Sequence, residues 1–390
     1  SLLEVPPDMD MGDFALPCFK LARELRKAPP AIAQQILDSL GELPPWIDRA
    51  ELAGGYLNFF LSRTQFVGAT LGEVAAKQER YGSSDEGAGR NIVLDYSSIN
   101  IAKPFHIGHL STTVIGSSLY KIFNFLGFHS VGVNHLGDWG TQFGKLISAY
   151  KRWGDRDTVE QGSIRALLAL YVRFHEEAER DPSLEEEGRA WFKKIEDGDE
   201  EALSLFSWFK ELTLREVSKI YDILDVHFDS YAGESFYNDK MQPVIDDLEA
   251  KGLLEDSNGA KVVNLDAYNM PPCLILKSDG ATLYATRDLA AAFYRKKTYD
   301  FYKDLYVVAY QQNLHFRQLF KDIELMGYDW AKDMEHVAFG MVSMTDGTLS
   351  TRKGRVIFLE DVIHAAIDKT RAIIEEKNPS LPDKDKTAQD

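Results

Sequence analysis

Residues 91–136 alternate between strand and helix patterns, and this alternation restricts the possible fold more than any other part of the chain. NIVLDYSS at 91–98 is an apolar strand, a helical pattern runs from about Gly108 to Leu126, and SVGVNHL at 130–136 is a second strand. A strand–helix–strand unit of this length indicates two parallel strands joined by a crossover helix. The chain is therefore predicted to be α/β, with a ligand crevice at the carboxyl ends of the strands.

The rest of the chain divides around this unit. The Gly- and Ser-rich stretch at 81–90 is typical of a domain boundary, and the residues before it predict a small mixed domain. In that domain residues 13–41 have helical periodicity, broken at Pro29 and Pro30, and YLNFFL predicts a strand at 56–61. Further along, residues 155–225 look mainly helical and charged, and strand and helix patterns resume after residue 282.

Charge and cysteine content exclude several classes of protein. Lys and Arg number 44 against 61 Asp and Glu, a formal net charge of −17, which argues against a protein that coats nucleic acid without specificity. The two cysteines, Cys18 and Cys273, are far apart. A disulfide framework is therefore excluded, and a reducing cytoplasm is expected. No run of about 18 apolar residues predicts a membrane span, and the first residues do not have the pattern of a signal peptide.

The segment His106-Ile107-Gly108-His109, called the HIGH segment below, lies where the loop after the first strand enters the helix. A helix N-terminus attracts anions through its unpaired N–H groups and its dipole. Two imidazoles there can donate hydrogen bonds to the charge that develops on a transferring phosphate. From these residues alone, two histidines that merely cap the helix are an equal alternative, and a zinc site is disfavoured because a third ligand is missing.

A second basic segment lies near the other end of the chain. Residues 348–354, TLSTRKG, place Arg352 and Lys353 on a hydroxyl-rich loop before the apolar run VIFLEDVI. Two cations on such a loop can clamp phosphate groups. Taken alone this pattern is weak, because most basic loops are simply solvated.

Together, the two segments resemble the signature pair of class I aminoacyl-tRNA synthetases, and the chain is similar to the arginyl-tRNA synthetase family as far as about Asn378. The similarity is carried by MGDFALPCFKLAREL in the first domain and by the segments DYSSINIAKPFHIGHLSTT (95–113), NHLGDWGTQFG (134–144), LYATRD (283–288) and QQNLHF (311–316). It implies an α/β fold: a Rossmann-like class I synthetase catalytic domain with a parallel sheet and insertions, preceded by a small α+β N-terminal domain.

The resemblance also implies an arginine pocket. Asp288 would bind the guanidinium group, with Tyr284 beside it and Asp95 as a second acidic partner. The i, i+4 spacing of Tyr284 and Asp288 agrees, because it puts both on one helix face. The α-amino and carboxylate groups of arginine would be bound by Ser98, Asn100, His109 and Gln312, with Gln311 a competing candidate for the last position. The far wall would be formed by His135, Gly137, Asp138, Trp139 and Gln142, although Trp139 fits a core position equally well.

The same resemblance assigns the nucleotide and the catalytic residues. ATP would contact His106, Gly108, His109, Ser350, Thr351 and Lys353, and Mg²⁺ would accompany it without a metal site on the protein. The catalytic residues implied are His106, His109, Lys103, Arg352 and Lys353. The usual class I loop has a lysine where this chain has Thr351. In arginyl enzymes a lysine just before the HIGH segment is thought to replace it, and Lys103 stands there.

The implied domains follow the family pattern. The boundaries are 1–88 for the N-terminal tRNA-contacting domain, 89–348 for the catalytic domain with insertions at about 155–225 and 236–280, 349–378 for the second signature loop and its following helix, and 379–390 for a linker. The expectation is a fragment whose first domain starts late and which lacks a C-terminal anticodon-binding domain. The implied partners are L-arginine, ATP and arginine tRNA, without a membrane, and the protein would be a cytoplasmic monomer.

The predicted activity is that of an arginine–tRNA ligase, which forms arginyl-adenylate and transfers the arginyl group to the 2′-hydroxyl of the terminal adenosine. An alternative for this chain is arginine and ATP binding and activation with little tRNA charging. Two other classes compete: a general HxGH nucleotidyltransferase acting on a small molecule, and a non-catalytic paralogue that binds tRNA or a protein partner.

Overall fold

In the computed structural model, which describes residues 2–103, 105–278, 282–340 and 357–389, the chain divides into two compact units, Ser1–Ser83 and Ser84–Asp390. The first unit contains an antiparallel sheet in the order β1, β3, β2. Its core is formed by Cys18, Ile32, Ala33 and Leu57. The elements of this unit are β1 (Phe14–Pro17), α1 (Phe19–Leu25), α2 (Pro29–Ser39), β2 (Ile47–Ala53), β3 (Tyr56–Leu61) and α3 (Arg63–Lys77).

The helical periodicity predicted over residues 13–41 is correct only in part. Residues 14–17 form a strand instead, because they pair with β3 in a register that sets Phe14 opposite Phe59. This pairing joins residues that are 39 to 45 positions apart in sequence, so local periodicity could not detect it. Pro29 lies in the first turn of α2, where proline is tolerated because the N–H it lacks has no partner in the helix anyway.

The second unit is built on a parallel sheet, as the strand–helix–strand pattern predicts. Among the described residues its strands lie in the order β10, β9, β4, β5, and each neighbouring pair is parallel. These strands are β4 (Asn91–Asp95), β5 (His129–Val133), β9 (Lys303–Tyr306) and β10 (Met334–His336). Strand β4 is central, and the functional loops follow its carboxyl end.

Apolar side chains cover both faces of this sheet. On β4, Ile92 and Leu94 belong to one core cluster and Val93 to the other, as expected when helices cover both faces of a parallel sheet. Helix α4 (Leu110–Phe125) crosses from β4 to β5. Gly116 lets this helix lie against the loop after β4, since a Cβ atom at position 116 would come within 2.2 Å of the Tyr96 side chain.

Two insertions and the remaining helices complete the unit. Helix α5 (Thr141–Trp153) follows β5, and the predicted insertion at about 155–225 is helical: α6 (Arg156–Ala178), α7 (Ser183–Glu196) and α8 (Glu200–Ile223). The second contains α9 (Met241–Ala250) and an antiparallel sheet of β6 (Leu254–Ser257), β7 (Ala260–Val263) and β8 (Cys273–Leu276). Helices α10 (Tyr284–Tyr299) and α11 (Asn313–Leu325) flank β9 in sequence.

The carboxyl-terminal segment contains more structure than a linker. Helix α12 (Leu359–Lys377) is followed by a short helix α13 (Lys384–Gln389) inside the segment 379–390 that sequence predicts to be a linker. Two ion pairs join the helices, Lys384 to Glu375 at 2.6 Å and Arg371 to Asp385 at 2.7 Å. In the part of the chain that the structure describes, none of the helices is long and apolar enough to cross a membrane.

Candidate active site

The HIGH segment forms the start of the crossover helix. His106 is the N-cap residue, Ile107–His109 make one 3₁₀ turn, and α4 follows directly. The Nδ1 atom of His106 accepts the N–H of Gly108 at 3.1 Å, and the Nδ1 atom of His109 accepts the N–H of His106 at 3.2 Å. Because Nδ1 is the acceptor in both rings, each neutral imidazole carries its proton on Nε2. Both histidines therefore cap the helix and also retain an Nε2–H donor.

These two imidazoles stay neutral near neutral pH. Burial, together with the charges of His106 and Lys103, lowers the pKa of His109 to about 3. Burial, followed by the charge of Lys103, also lowers the pKa of His106. The rings lie close together, with centroids 4.0 Å apart. The site can thus supply neutral hydrogen-bond donors from the histidines, with Lys103 as a cation nearby.

Backbone hydrogen bonds connect the HIGH segment to the residues just before α12. The N–H of Ile107 donates to Ile357 O at 3.1 Å, and the N–H of Leu359 donates to Phe105 O at 2.9 Å. The segment 357–359, which follows the predicted loop at 348–354, is therefore hydrogen-bonded to the chain around the HIGH segment. The predicted residues of that loop, Ser350, Thr351, Arg352 and Lys353, lie outside the described residues.

The loop after β4 is held in a strained conformation against the HIGH helix. Ser97 and Ser98 have φ of 68° and 46°, which are uncommon for residues other than glycine. The N–H of Ser97 donates to Thr112 Oγ1 at 3.0 Å, and Thr113 Oγ1 donates to Ser97 Oγ at 2.9 Å. These bonds place the predicted substrate residue Ser98 beside the first turns of α4. Asn100 is nearby, in a parallel bridge to Gly137.

Asp95, at the end of β4, is paired with a residue of the protein itself. Its Oδ2 atom lies 2.6 Å from Nη2 of Arg295, and its Oδ1 atom accepts the Ser98 hydroxyl at 2.6 Å. Arg295 is almost fully buried and also lies 3.7 Å from Asp304. The prediction of Asp95 as an acidic partner for substrate could not anticipate this pair, because Arg295 is 200 residues away in sequence. In the structure, one Asp95 oxygen thus contacts Arg295 and the other accepts the hydroxyl of Ser98.

Asp288 lies on the first turns of α10 with 26% of its side chain exposed. Burial alone would raise its pKa, but the hydrogen bond from His315 and the charges of His315, His135 and Arg295 outweigh burial and lower it. The His315 Nε2 to Asp288 Oδ2 distance is 2.7 Å. Tyr284 lies one turn earlier, exposed, with its ring centroid 4.8 Å from that of His315. Asp288 is therefore an ionised, accessible carboxylate on the same helix face as an exposed aromatic ring.

The loop after β5 brings His135 toward this carboxylate. His135 Nε2 is 3.6 Å from Asp288 Oδ1, and neither of its buried ring nitrogens has a hydrogen-bond partner among the described residues. Burial lowers its pKa despite the charges of Asp95 and Asp288. In the same loop Trp139 packs against Phe192, which is the core alternative for this residue, while Gln142 donates to Trp139 O at 3.0 Å.

Sequence analysis missed Glu234. Two hydrogen bonds dock its segment onto the loop after β5: Glu234 N–H to Leu136 O at 2.9 Å, and Ser235 N–H to Asp138 Oδ1 at 2.8 Å. Asp138 is fully buried and also binds Lys210 at 2.6 Å. Burial, opposed by the charge of Arg287 and reinforced by that of Asp288, raises the pKa of Glu234 to about 7. Glu234 is therefore within range of a charge interaction with Asp288. Its only sequence signal is an acidic residue beside Gly233.

Gln312 is the N-cap residue of α11, exposed beside an equally exposed Gln311. It follows the carboxyl end of β9 and precedes His315 by three residues. The charges of Asp95 on β4 and Asp288 on α10 both act on His135 in the loop after β5, so the structure brings these three residues together. Gln312 lies at the start of α11, the helix whose His315 contacts Asp288. No cluster of three or more His, Cys, Asp or Glu side chains is arranged to hold a metal ion in the described ranges.

A parallel sheet with a HIGH segment at the carboxyl end of its central strand defines a class I aminoacyl-tRNA synthetase catalytic domain. Residues 70–389 match the family model for the catalytic domain of class I tRNA synthetases (R), and residues 1–61 match that for the arginyl tRNA synthetase N terminal domain. The chain belongs to the arginyl-tRNA synthetase family. The family, fold class and enzyme class predicted from sequence are confirmed.

Individual relatives agree with this family assignment. The chain is 56% identical over 390 residues to the arginine–tRNA ligase of Alkaliphilus metalliredigens, covering all of this chain and 69% of that protein. It is 57% identical over 385 residues to that of Clostridioides difficile, covering 99% of this chain and 68% of that protein. Nothing in these matches favours activation with little tRNA charging.

Solved structures agree with the fold. The Thermus thermophilus arginyl-tRNA synthetase superposes with a TM-score of 0.76 at 23% identity, covering 99% of this chain and 69% of that one. The Plasmodium falciparum arginyl-tRNA synthetase gives a TM-score of 0.75 at 23% identity, covering 99% and 67%.

Proposed function

We propose that this chain, an arginine–tRNA ligase, binds the guanidinium group of L-arginine between Asp288 and Glu234. The observation that carries the proposal is the accessible Asp288 carboxylate, whose Oδ2 atom is held by His315 at 2.7 Å and whose charge interacts with that of Glu234. A guanidinium is a planar cation with five donors, and it needs carboxylate acceptors. The exposed ring of Tyr284 can lie against its face.

The other end of arginine is assigned to the loop after β4 and the start of α11. Ser98, Asn100 and Gln312 bind the α-amino and carboxylate groups. Asp95, which is itself paired with Arg295, accepts the hydroxyl of Ser98 and holds it in place. Ser97, next to Ser98, is hydrogen-bonded to Thr112 and Thr113 of α4, the helix that begins with the HIGH segment. An arginine carboxylate bound at Ser98 therefore faces the HIGH segment.

Activation requires little covalent chemistry from the protein. The arginine carboxylate attacks the α-phosphate of ATP in line. A bond forms between a carboxylate oxygen and the α-phosphorus, and the bond from that phosphorus to the bridging oxygen of pyrophosphate breaks. The Nε2–H groups of His106 and His109 donate to the phosphates, and Lys103 neutralises developing negative charge. Arg352 and Lys353 add two cations, with Ser350, Thr351 and Gly108 along the nucleotide. Mg²⁺ arrives with ATP as part of the substrate.

In the second step the 2′-hydroxyl of the terminal adenosine of arginine tRNA attacks the activated carbonyl and releases AMP. The N-terminal domain, 1–88, contacts the tRNA, and the catalytic domain, 89–348, performs both steps. We place the activity in the cytoplasm and expect a monomer.

The test is ATP–pyrophosphate exchange with each amino acid, with and without arginine tRNA, on the wild type and on Asp288→Asn. Arginine alone should support exchange, and the variant should raise the KM for arginine while leaving the KM for ATP near its original value. Exchange that ignores arginine would support the general nucleotidyltransferase instead. Absence of exchange with tRNA binding intact would support the non-catalytic paralogue.

A further inference from the structure

We propose that His315 is a positioning residue for arginine recognition, which holds the Asp288 carboxylate in the orientation that the substrate guanidinium needs. This inference rests on the proposed role of Asp288 and adds a residue that acts through it. His315 lies within the QQNLHF segment (311–316), but the resemblance assigns it no role.

The geometry is that of a bridge between two helices. His315 lies in the first turn of α11 and Asp288 in the second turn of α10, and Nε2 is 2.7 Å from Oδ2. An ionised carboxylate only accepts hydrogen bonds, so the Nε2 atom of His315 carries a proton and donates it. This bond fixes Oδ2 from outside its own helix. The Oδ1 atom faces His135 at 3.6 Å, too far for a hydrogen bond.

Packing fixes the His315 ring itself. The side chain is 9% exposed, and its ring lies 4.8 Å from the ring of Tyr284 and 5.2 Å from that of Phe316. Phe316 in turn packs 4.9 Å from Tyr306 on β9. The donor is therefore anchored to the central sheet and cannot follow Asp288 if that side chain rotates.

Such an anchor matters because a guanidinium binds a carboxylate best when the two groups are coplanar. An aspartate without it would populate several rotamers, and binding would have to select one of them. The two carboxylate oxygens together offer about four acceptor positions. The hydrogen bond from His315 uses one of them, so enough acceptor positions remain for two N–H groups of the guanidinium. The alternative is that His315 merely fills space between Tyr284 and Phe316.

The experiment compares His315→Gln with His315→Phe in ATP–pyrophosphate exchange with arginine tRNA present. Glutamine keeps an N–H donor at about the position of Nε2, whereas phenylalanine keeps the ring but loses the donor. The phenylalanine variant should raise the KM for arginine roughly 10- to 100-fold, the loss expected for one hydrogen bond to a charged group. Its kcat and its KM for ATP should stay within about twofold of wild type. The glutamine variant should recover most of the affinity.

A second readout isolates the guanidinium site. Agmatine keeps the guanidinium group and lacks the carboxylate, so its inhibition constant should rise by the same factor as the KM for arginine. The matched control is His129→Gln, an exposed histidine on β5 that lies 3.0 Å from Asn91. That variant should leave both values unchanged. If the phenylalanine variant does not fold, His315→Asn replaces it, because its amide is too short to reach Asp288.

The outcomes separate the two proposals. An unchanged KM for arginine in Asp288→Asn would overturn the guanidinium assignment and, with it, the role of His315. A raised KM in Asp288→Asn together with wild-type values in His315→Phe would overturn only the positioning role. Equal impairment of the glutamine and phenylalanine variants, or an equal rise in the KM for ATP, would also overturn it.

Discussion

Binding of arginine should release a proton from Glu234. Burial and the nearby carboxylates raise the pKa of Glu234 to about 7, so the group is partly protonated at neutral pH. A bound guanidinium stabilises only the ionised form. Arginine should therefore bind more tightly as the pH rises through 7, and more weakly as it falls.

The size of the effect follows from this pKa. If the pKa returns to the ordinary range for glutamate in the complex, the dissociation constant for arginine rises about tenfold between pH 8 and pH 6. About half a proton should be released for each arginine bound at pH 7. Isothermal titration calorimetry in buffers of different ionisation enthalpy measures both quantities on the same protein.

The variant Glu234→Gln cannot ionise at this position. Its arginine affinity should be nearly independent of pH in this range and close to that of the wild type at low pH. The control Glu249→Gln, an exposed carboxylate on α9, should keep the wild-type profile. Proton release and pH dependence that persist unchanged in Glu234→Gln would refute the reasoning, because another group would then be titrating.

The remaining predictions concern the HIGH segment and the buried ion pair. His109→Ala should lower kcat for adenylate formation about 10²- to 10³-fold, because it removes one hydrogen-bond donor. His109→Gln retains an amide donor, so its kcat should fall less. Equal losses of kcat in the two variants would contradict the assignment of the proton to Nε2. Lys103→Ala should lower kcat in pyrophosphate exchange and leave the KM for arginine within about twofold, whereas equal effects on both would argue against charge neutralisation. Arg295→Met should lower the free energy of unfolding by about 3–5 kcal/mol in urea denaturation, because Asp95 and Asp304 remain buried without their partner; a loss below 1 kcal/mol would show that the pair contributes little.

The sequence predicts the parts of the site that depend on local pattern. Strand β4 is a run of apolar residues, so its position and the start of the HIGH segment follow from hydrophobicity and spacing. Tyr284 and Asp288 share a helix face because they are four residues apart. These predictions need only neighbours in sequence. The structure contains the predicted elements, although β4 ends at Asp95 and β5 at Val133, each three residues before its predicted end.

The residues that sequence misses are brought in by long-range contacts. Glu234 reaches the pocket because its segment docks onto the loop after β5, and His315 reaches Asp288 from a different helix. Asp95, which the resemblance places at the substrate, contacts Arg295 from 200 positions away, and the sequence does not indicate this pair. No motif distinguishes a carboxylate that awaits a substrate guanidinium from one that already holds the guanidinium of its own chain.

The backbone pairing of residues 105–107 with 357–359 has a consequence for mutagenesis. Its hydrogen bonds use only N–H and C=O groups, so replacing side chains such as Ile107 leaves them intact. Alanine substitutions would therefore leave these backbone hydrogen bonds in place, and measured activity would not reveal how strongly they couple the HIGH segment to the segment 357–359. Proline at position 107 or 359 removes a donating N–H, so a proline scan can detect a dependence that side-chain replacement cannot.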